Sequence, residues 1–230
     1  MDSITTGRPL DETGEPAEGP ALELDPDGRA VERFAESPHP LASGPGSEMW
    51  STILRYPSRD RTDAPAMLVW LGPDAMELPP HVHPIGSEYF RALRGEVTLV
   101  VDGDRHRLSP GQEMTIEAGD EHYFRNETGD YAAFYVEPPW EKTIDTQFTV
   151  FGMDHEGIFG DPYGEPDVLQ GLLLAEYVRA GTRITAAPVV LQRVLWATVG
   201  RLARALGRQA VDERYLDDEF WLDAVEQPDI

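Results

Sequence analysis

Two histidines and a glutamate that follows them closely form the part of this sequence best suited to chemistry. One residue separates His81 from His83, four residues separate His83 from Glu88, and His122 lies in a later segment. Side chains two residues apart on a β-strand point to the same face, so both imidazoles can share a site. After a turn, Glu88 can come back towards them. Three imidazoles and one carboxylate suit a divalent transition ion.

The segments around these residues are typical of β-strands. Short β-branched and aromatic stretches alternate with glycine-containing turns from residue 48 to about residue 136, at roughly ten-residue spacing. The predicted strands are STILRY, MLVWL, EYFRAL, EVTLVV, EMTIEA, EHYFRN and YAAFYVE. Several strands without intervening helices predict an antiparallel sandwich or barrel, and they exclude a βαβ unit.

The histidine segments resemble the two motifs of the cupin family. The first motif is HxH, four residues, Glu88, six residues and Gly95, although Gly72 lies farther upstream than the family pattern has its first glycine. The second motif has the following four residues at the family spacing: Gly111, Gly119, His122 and Asn126. Glu117 stands where the family has proline, which removes no ligand. The resemblance covers about residues 48–140 and includes one pair of motifs.

The resemblance implies a mainly β protein, a cupin-type jelly-roll β-barrel, with an α-helical C-terminal extension. It also implies that His81, His83, Glu88 and His122 bind one ion, which could be Fe, Mn, Ni, Co or Zn. Alternation along the strands places Phe90 and Phe124 on the ligand face, where they would line a substrate pocket or belong to the core. The remaining histidines, His39, His106 and His155, have no such spacing and are expected in solvent.

Changes in composition divide the chain into three predicted regions. Residues 1–47 form an acidic Pro/Gly-rich arm that is partly mobile, residues 48–155 form the barrel, and residues 156–230 form the helical extension. Pro166 and Asp167 can begin a helix that Gly181 ends, and Pro188 can begin a second helix that ends near Gly207.

The charge balance excludes several classes of protein. The chain has 42 Asp+Glu and 19 Lys+Arg, a net charge of −23, and no cysteine. Disulfides and thiolate metal sites are therefore excluded, and nucleic-acid binding is not expected. An acidic, lysine-poor chain indicates a halophilic protein, or else an acidic protein from a GC-rich genome. Residues 1–12 lack the apolar run of a signal peptide, so we expect a cytoplasmic protein.

The helix predicted over residues 188–207 combines arginines with a wide apolar face. The segment between Tyr177 and Val211 has six arginines and no acid. One interpretation is that this helix packs on the barrel or on a second subunit. The other is that it lies on a membrane surface and contacts anionic headgroups.

These features predict a metal-dependent enzyme, an oxygenase or isomerase, that acts on a small organic molecule. No general base can be named from the sequence. The alternative is a non-catalytic binding or sensor protein for a small molecule, which the 188–207 helix could attach to a membrane. A homodimer is the expected oligomer.

Overall fold

Antiparallel strands fill most of the central part of the chain, as the sequence predicts. A computed structural model of the protein describes residues 3–57, 63–160, 163–164, 166–185 and 188–230. The strands are β1 (Ile4–Thr6), β2 (Leu22–Leu24), β3 (Ala42–Gly44), β4 (Met49–Arg55), β5 (Ala66–Leu71), β6 (His81–Val82), β7 (Glu88–Arg94), β8 (Val97–Val101), β9 (Asp104–Leu108), β10 (Glu113–Ile116), β11 (Glu121–Arg125), β12 (Ala132–Glu137) and β13 (Arg183–Ile184).

The strands form two main sheets and one short hairpin-like pair. The first sheet has the order β10-β7-β12-β5-β4-β3, the second has the order β13-β6-β11-β8-β9, and β1 pairs with β2. All the pairings are antiparallel. The mainly β fold with a helical C-terminal part is therefore confirmed. Among the described strands, no hydrogen-bonded ladder joins the two main sheets.

Strand β5 shows how the sheets are covered, because all six of its residues are buried. Alternate side chains of a strand point to opposite faces. Val69 and its neighbours on the same face pack into the main core, together with residues such as Phe90 and Leu99. Trp70, on the other face, packs in a second cluster that includes Leu22. Apolar residues from the N-terminal part of the chain therefore cover the outer face of the first sheet.

The helices lie mostly in the last third of the chain. They are α1 (Arg29–Phe34), α2 (Lys142–His155), α3 (Val168–Val178), α4 (Val189–Leu195), α5 (Arg201–Ala205) and α6 (Asp218–Ala224). A π-helical segment, Trp196–Gly200, joins α4 to α5, so that residues 189–205 form one continuous helix. The side chain of Asp167 accepts a hydrogen bond from the backbone N–H of Gln170 and caps α3.

The structure confirms the two helices that the sequence predicts after residue 165 and adds α2, which the strand pattern did not predict. Helix α2 packs buried residues such as Ile144 and Phe148 into the main core. Across the described ranges, no helix combines the length and apolar character needed to cross a membrane.

Candidate metal centre

Three strands bring the four predicted ligands together between the two sheets. His81 lies on β6 directly opposite His122 on β11, and both strands belong to the second sheet. His83 follows β6, and its carbonyl accepts a hydrogen bond from the backbone N–H of Gly119 at 2.9 Å. Glu88 is the first residue of β7, which belongs to the first sheet. The carboxylate of one sheet thus faces the imidazoles of the other.

The ligand atoms of these four residues lie close enough to share one ion. One donor atom from each residue falls within 4.8 Å of all the others. The Oε2 atom of Glu88 lies 2.9 Å from Nε2 of His122 and 3.2 Å from Nε2 of His83. Ligands about 2.1 Å from a six-coordinate ion are about 3.0 Å from their cis neighbours, so these two distances fit such an ion.

Each imidazole is oriented by a backbone carbonyl at its other nitrogen. The Nδ1 atoms of His81, His83 and His122 lie 3.1, 2.9 and 3.0 Å from three carbonyl oxygens. Those oxygens belong to Pro79, Gly181 and Asp120, respectively. A carbonyl only accepts, so each Nδ1 carries a hydrogen, and in the neutral imidazole Nε2 then presents a lone pair. Metal-binding histidines are typically held in this way.

The Nε2 atoms of His122 and His83 face the carboxylate of Glu88, and a cation between them would stabilise the arrangement. Without one, Nε2 of His122 and Oε2 of Glu88 would be two acceptors only 2.9 Å apart. Burial opposes ionisation of Glu88, but when no metal ion is bound a proton on Nε2 of His122 can be donated to the carboxylate, and such hydrogen bonds lower the pKa of Glu88. Burial lowers the pKa of His81 to about 4, so this imidazole is neutral at pH 7 and free to coordinate. A proton or a metal ion is therefore needed between the acceptors.

The helical C-terminal part supplies one wall of this centre. The carbonyl of Gly181 accepts from His83, and the hydroxyl of Thr182 lies 3.1 Å from the same Nδ1 atom. The next residues form β13, which pairs with β6 so that Ile184 lies opposite His81. Sequence reasoning missed Gly181 and Thr182, because they contact His83 from almost a hundred residues away and no motif marks them.

The other residues singled out from the sequence lie outside the cluster of ligands. Phe90 is 1% exposed and packs with Phe124 and Phe134 in the main core, with ring centroids 5.6 to 6.3 Å from its own. A role of Phe90 and Phe124 in lining a substrate pocket stays a prediction. His106 is exposed as expected.

His39 and His155 differ from the solvent-exposed state expected of them. His39 is half-buried, and its Nδ1 atom lies 2.8 Å from the carboxylate of Asp218. His155 packs edge-on against the ring of Trp221, and its Nε2 atom lies 2.9 Å from the hydroxyl of Ser43. The expectation that His155 is solvated was wrong, because α2 was not predicted and this residue ends it.

Comparison with known proteins identifies the fold around this centre. Residues 67–137 match the family model described as cupin domain. This range contains all four candidate ligands, so the chain contains a cupin domain and a His/Glu cluster that could hold a metal ion. No curated protein sequence matches the chain.

Several solved structures resemble part of the chain. A sugar phosphate isomerase of the cupin superfamily from Silicibacter pomeroyi is 26% identical, and the alignment covers 45% of this chain and 71% of that one with a TM-score of 0.37. An RmlC-like cupin from Shewanella frigidimarina is 18% identical over 46% of this chain and 89% of its own, with a TM-score of 0.38. KdgF from Halomonas sp. is 18% identical, and the alignment covers 42% of this chain and 84% of that one with a TM-score of 0.36.

Proposed function

We propose that the protein is a metal-dependent enzyme that acts on a small organic molecule by oxidation or isomerisation. The observation that carries this proposal is the arrangement of the three imidazoles. Each one has its Nδ1 hydrogen held by a carbonyl and its Nε2 lone pair available at a buried carboxylate. Such a cluster is costly to keep without a cation, because its acceptors repel one another.

The donor set favours one divalent transition ion, and Fe, Mn, Ni, Co and Zn all remain candidates. Three nitrogens disfavour Ca²⁺, which prefers oxygen ligands. Four protein ligands would complete a tetrahedral zinc site, which would then be structural. With a six-coordinate ion, two positions would remain for water or substrate, and this second arrangement is the one that permits catalysis.

The protein residues would hold and tune the ion. When bound, the ion would supply Lewis-acid or redox chemistry at a substrate oxygen. Glu88 contributes the only negative charge among the four ligands, and His81, His83 and His122 contribute neutral nitrogens. We assign these residues as ligands and not as general bases. The carbonyl of Gly181 and the hydroxyl of Thr182 would fix the ring of His83 and thus the direction of its lone pair.

A turnover screen on metal-loaded protein distinguishes this proposal from its alternative, a non-catalytic binding or sensor protein. Purified protein loaded separately with iron, manganese, nickel and cobalt is incubated with pools of small organic acids, phenols and sugars. Oxygen consumption and product formation are then measured. Metal-dependent turnover that is lost in His122→Gln supports the enzyme. Retention of a ligand from the pool without any product supports the binding protein.

The exposed apolar side chains of the continuous 189–205 helix favour a second partner, a membrane surface, besides a small molecule. Apolar side chains along this helix and just after it are between 49% and 74% exposed: Val190, Leu191, Val194, Leu202 and Leu206. Together with the neighbouring arginines, this stripe supports attachment to a membrane surface. Flotation with anionic liposomes, compared between the native chain and Leu191→Glu/Leu202→Glu, tests it.

We further propose that the protein is a cytoplasmic homodimer and that it divides into an N-terminal arm (1–47), a cupin unit (48–155) and a helical unit (156–230). The dimer is testable by light scattering coupled to size-exclusion chromatography. A mass near twice 25.6 kDa is expected, and a mass equal to one chain contradicts the dimer.

A further inference from the structure

A cleft lined by arginines lies between the end of α3 and the continuous 189–205 helix. Its volume is about 580 Å³. The charged side chains at its walls are five arginines and one glutamate: Arg179, Arg183, Arg193, Arg201, Arg204 and Glu176. The cleft therefore has a formal charge of +4, although the whole chain has a net charge of −23. Such a concentration of one sign attracts ligands of the other.

The single carboxylate leaves most of these arginines available. Glu176 pairs with Arg204 at 2.6 Å and lies 3.9 Å from Arg179. Within the described ranges, Arg193 and Arg201 form no ion pair with a carboxylate, and both are exposed. Repulsion among several guanidinium groups around one cleft is relieved when an anion binds between them.

The indole of Trp196 forms part of the cleft wall and has a hydrogen-bond donor that is unsatisfied within the described residues. Trp196 lines the cleft and is only 5% exposed, and the guanidinium of Arg179 lies over its ring at 5.9 Å. Its Nε1 atom is buried and has no acceptor in the part of the chain that the structure describes. A buried donor without a partner is costly, so an acceptor atom from a ligand would stabilise it.

We propose that this cleft binds a phosphate group. A phosphate presents several acceptor oxygens and up to two negative charges, and the planar fork of arginine matches this geometry. Its oxygens would pair with Arg193 and Arg201, and a shift of the indole that exposes the buried Nε1 atom would let one of them accept the Trp196 N–H. The phosphate belongs either to a free phosphate ester or to a lipid headgroup.

The cleft is connected to the candidate metal centre by a short segment. Arg179, Ala180 and Arg183 line the cleft, while Gly181 and Thr182 between them contact His83. The same five-residue segment thus takes part in both sites. The phosphate site does not depend on the proposed enzymatic activity, because the arginines and Trp196 lie outside the four candidate ligands.

Titration with inorganic pyrophosphate tests the cleft directly. The full-length protein is titrated in low-salt buffer and the heat of binding is recorded. Arg193→Gln/Arg201→Gln removes two positive charges, and Trp196→Phe removes only the indole N–H. The control Arg105→Gln/Arg107→Gln removes the same charge from exposed arginines on β9, which pair with Glu127. Thermal unfolding confirms that each variant is folded.

We expect both cleft variants to bind pyrophosphate at least about tenfold more weakly than the native chain, and the control to bind within about twofold. Equal loss in the control and in the cleft variants overturns the proposal, since general charge attraction would then explain the binding. Absence of binding to both pyrophosphate and phosphatidylglycerol vesicles also overturns it. Should Arg193→Gln/Arg201→Gln not fold, Arg193→Gln alone replaces it.

Vesicles separate the two sources of the phosphate. Phosphatidylglycerol vesicles are compared with phosphatidylcholine vesicles, which carry no net charge. Binding to the anionic vesicles that the cleft variants lose, without binding to pyrophosphate, assigns the cleft to lipid headgroups. Binding to pyrophosphate alone assigns it to free phosphate esters.

Discussion

A methyl group at position 181 should weaken metal binding without touching a metal ligand. A Cβ atom at Gly181 would lie 2.2 Å from Cε2 of Trp140 and 2.6 Å from two further ring atoms. Ordinary contacts begin at 3.4 Å, so one side must move by about 1.2 Å. The carbonyl of Gly181 accepts a hydrogen bond from Nδ1 of His83 at 2.9 Å. If the backbone at residue 181 moves by this distance away from the indole of Trp140, that hydrogen bond breaks.

Loss of such a supporting hydrogen bond typically reduces metal affinity by about 10-fold to 100-fold, or about 1.4 to 2.7 kcal/mol. The affinity of Gly181→Ala is measured by competition with a chromogenic chelator for Co²⁺ or Zn²⁺. Gly171→Ala is the matched control, because Gly171 lies in the preceding helix α3 and no atom lies within 4 Å of its added Cβ. Trp140→Leu combined with Gly181→Ala should restore affinity by making room. A folded Gly181→Ala protein with native affinity would refute the role given to this carbonyl.

Three further predictions concern stability. The buried Asp145 accepts hydrogen bonds from Tyr56 (2.7 Å) and Tyr177 (2.6 Å), so Asp145→Asn should lower the free energy of unfolding in urea by about 2 to 3 kcal/mol, and an unchanged midpoint contradicts this. Burial lowers the pKa of His155 from 6.5 to about 4. Between pH 4 and pH 6.5 the unfolded chain therefore binds more protons than the folded chain. The free energy of unfolding should fall by about 3 kcal/mol as the pH is lowered from 6.5 to 4. His155→Gln should remove that loss, and an identical pH dependence in both proteins contradicts it. If the chain is halophilic, its melting temperature should rise steeply between about 0.1 and 2 M KCl, and a constant melting temperature contradicts this.

The local patterns of the sequence predict the strands and the ligand cluster well. Alternation within β7 and β11 and the spacing of His81, His83 and Glu88 are short-range features, so a single sequence displays them. The presence of glycine at two positions of the motifs also has a local cause. Gly95 and Gly119 adopt φ angles of +60° and +99°, which side chains with a Cβ rarely tolerate.

Contacts between distant segments could not be predicted in the same way. The wall formed by Gly181 and Thr182 depends on where α3 ends relative to His83, and neither residue has a distinctive neighbour in the sequence. The packing of Leu22 against the outer face of the first sheet, where Trp70 lies, likewise depends on the arrangement of the two sheets. Strand β13 is two residues long and has no alternation to detect. The wall at His83, the packing around Trp70 and the pairing of β13 all depend on tertiary structure.

The most direct test of the central claim is the metal content of the purified protein. The native chain, His81→Ala/His122→Ala and the control His106→Ala are each loaded with a divalent transition ion, dialysed and examined by elemental analysis. His106 is exposed on β9, so its removal should leave the site intact. We expect about one ion per chain in the native protein and in the control, and almost none in the double variant. Equal metal in all three proteins, or none in any of them, would contradict the account.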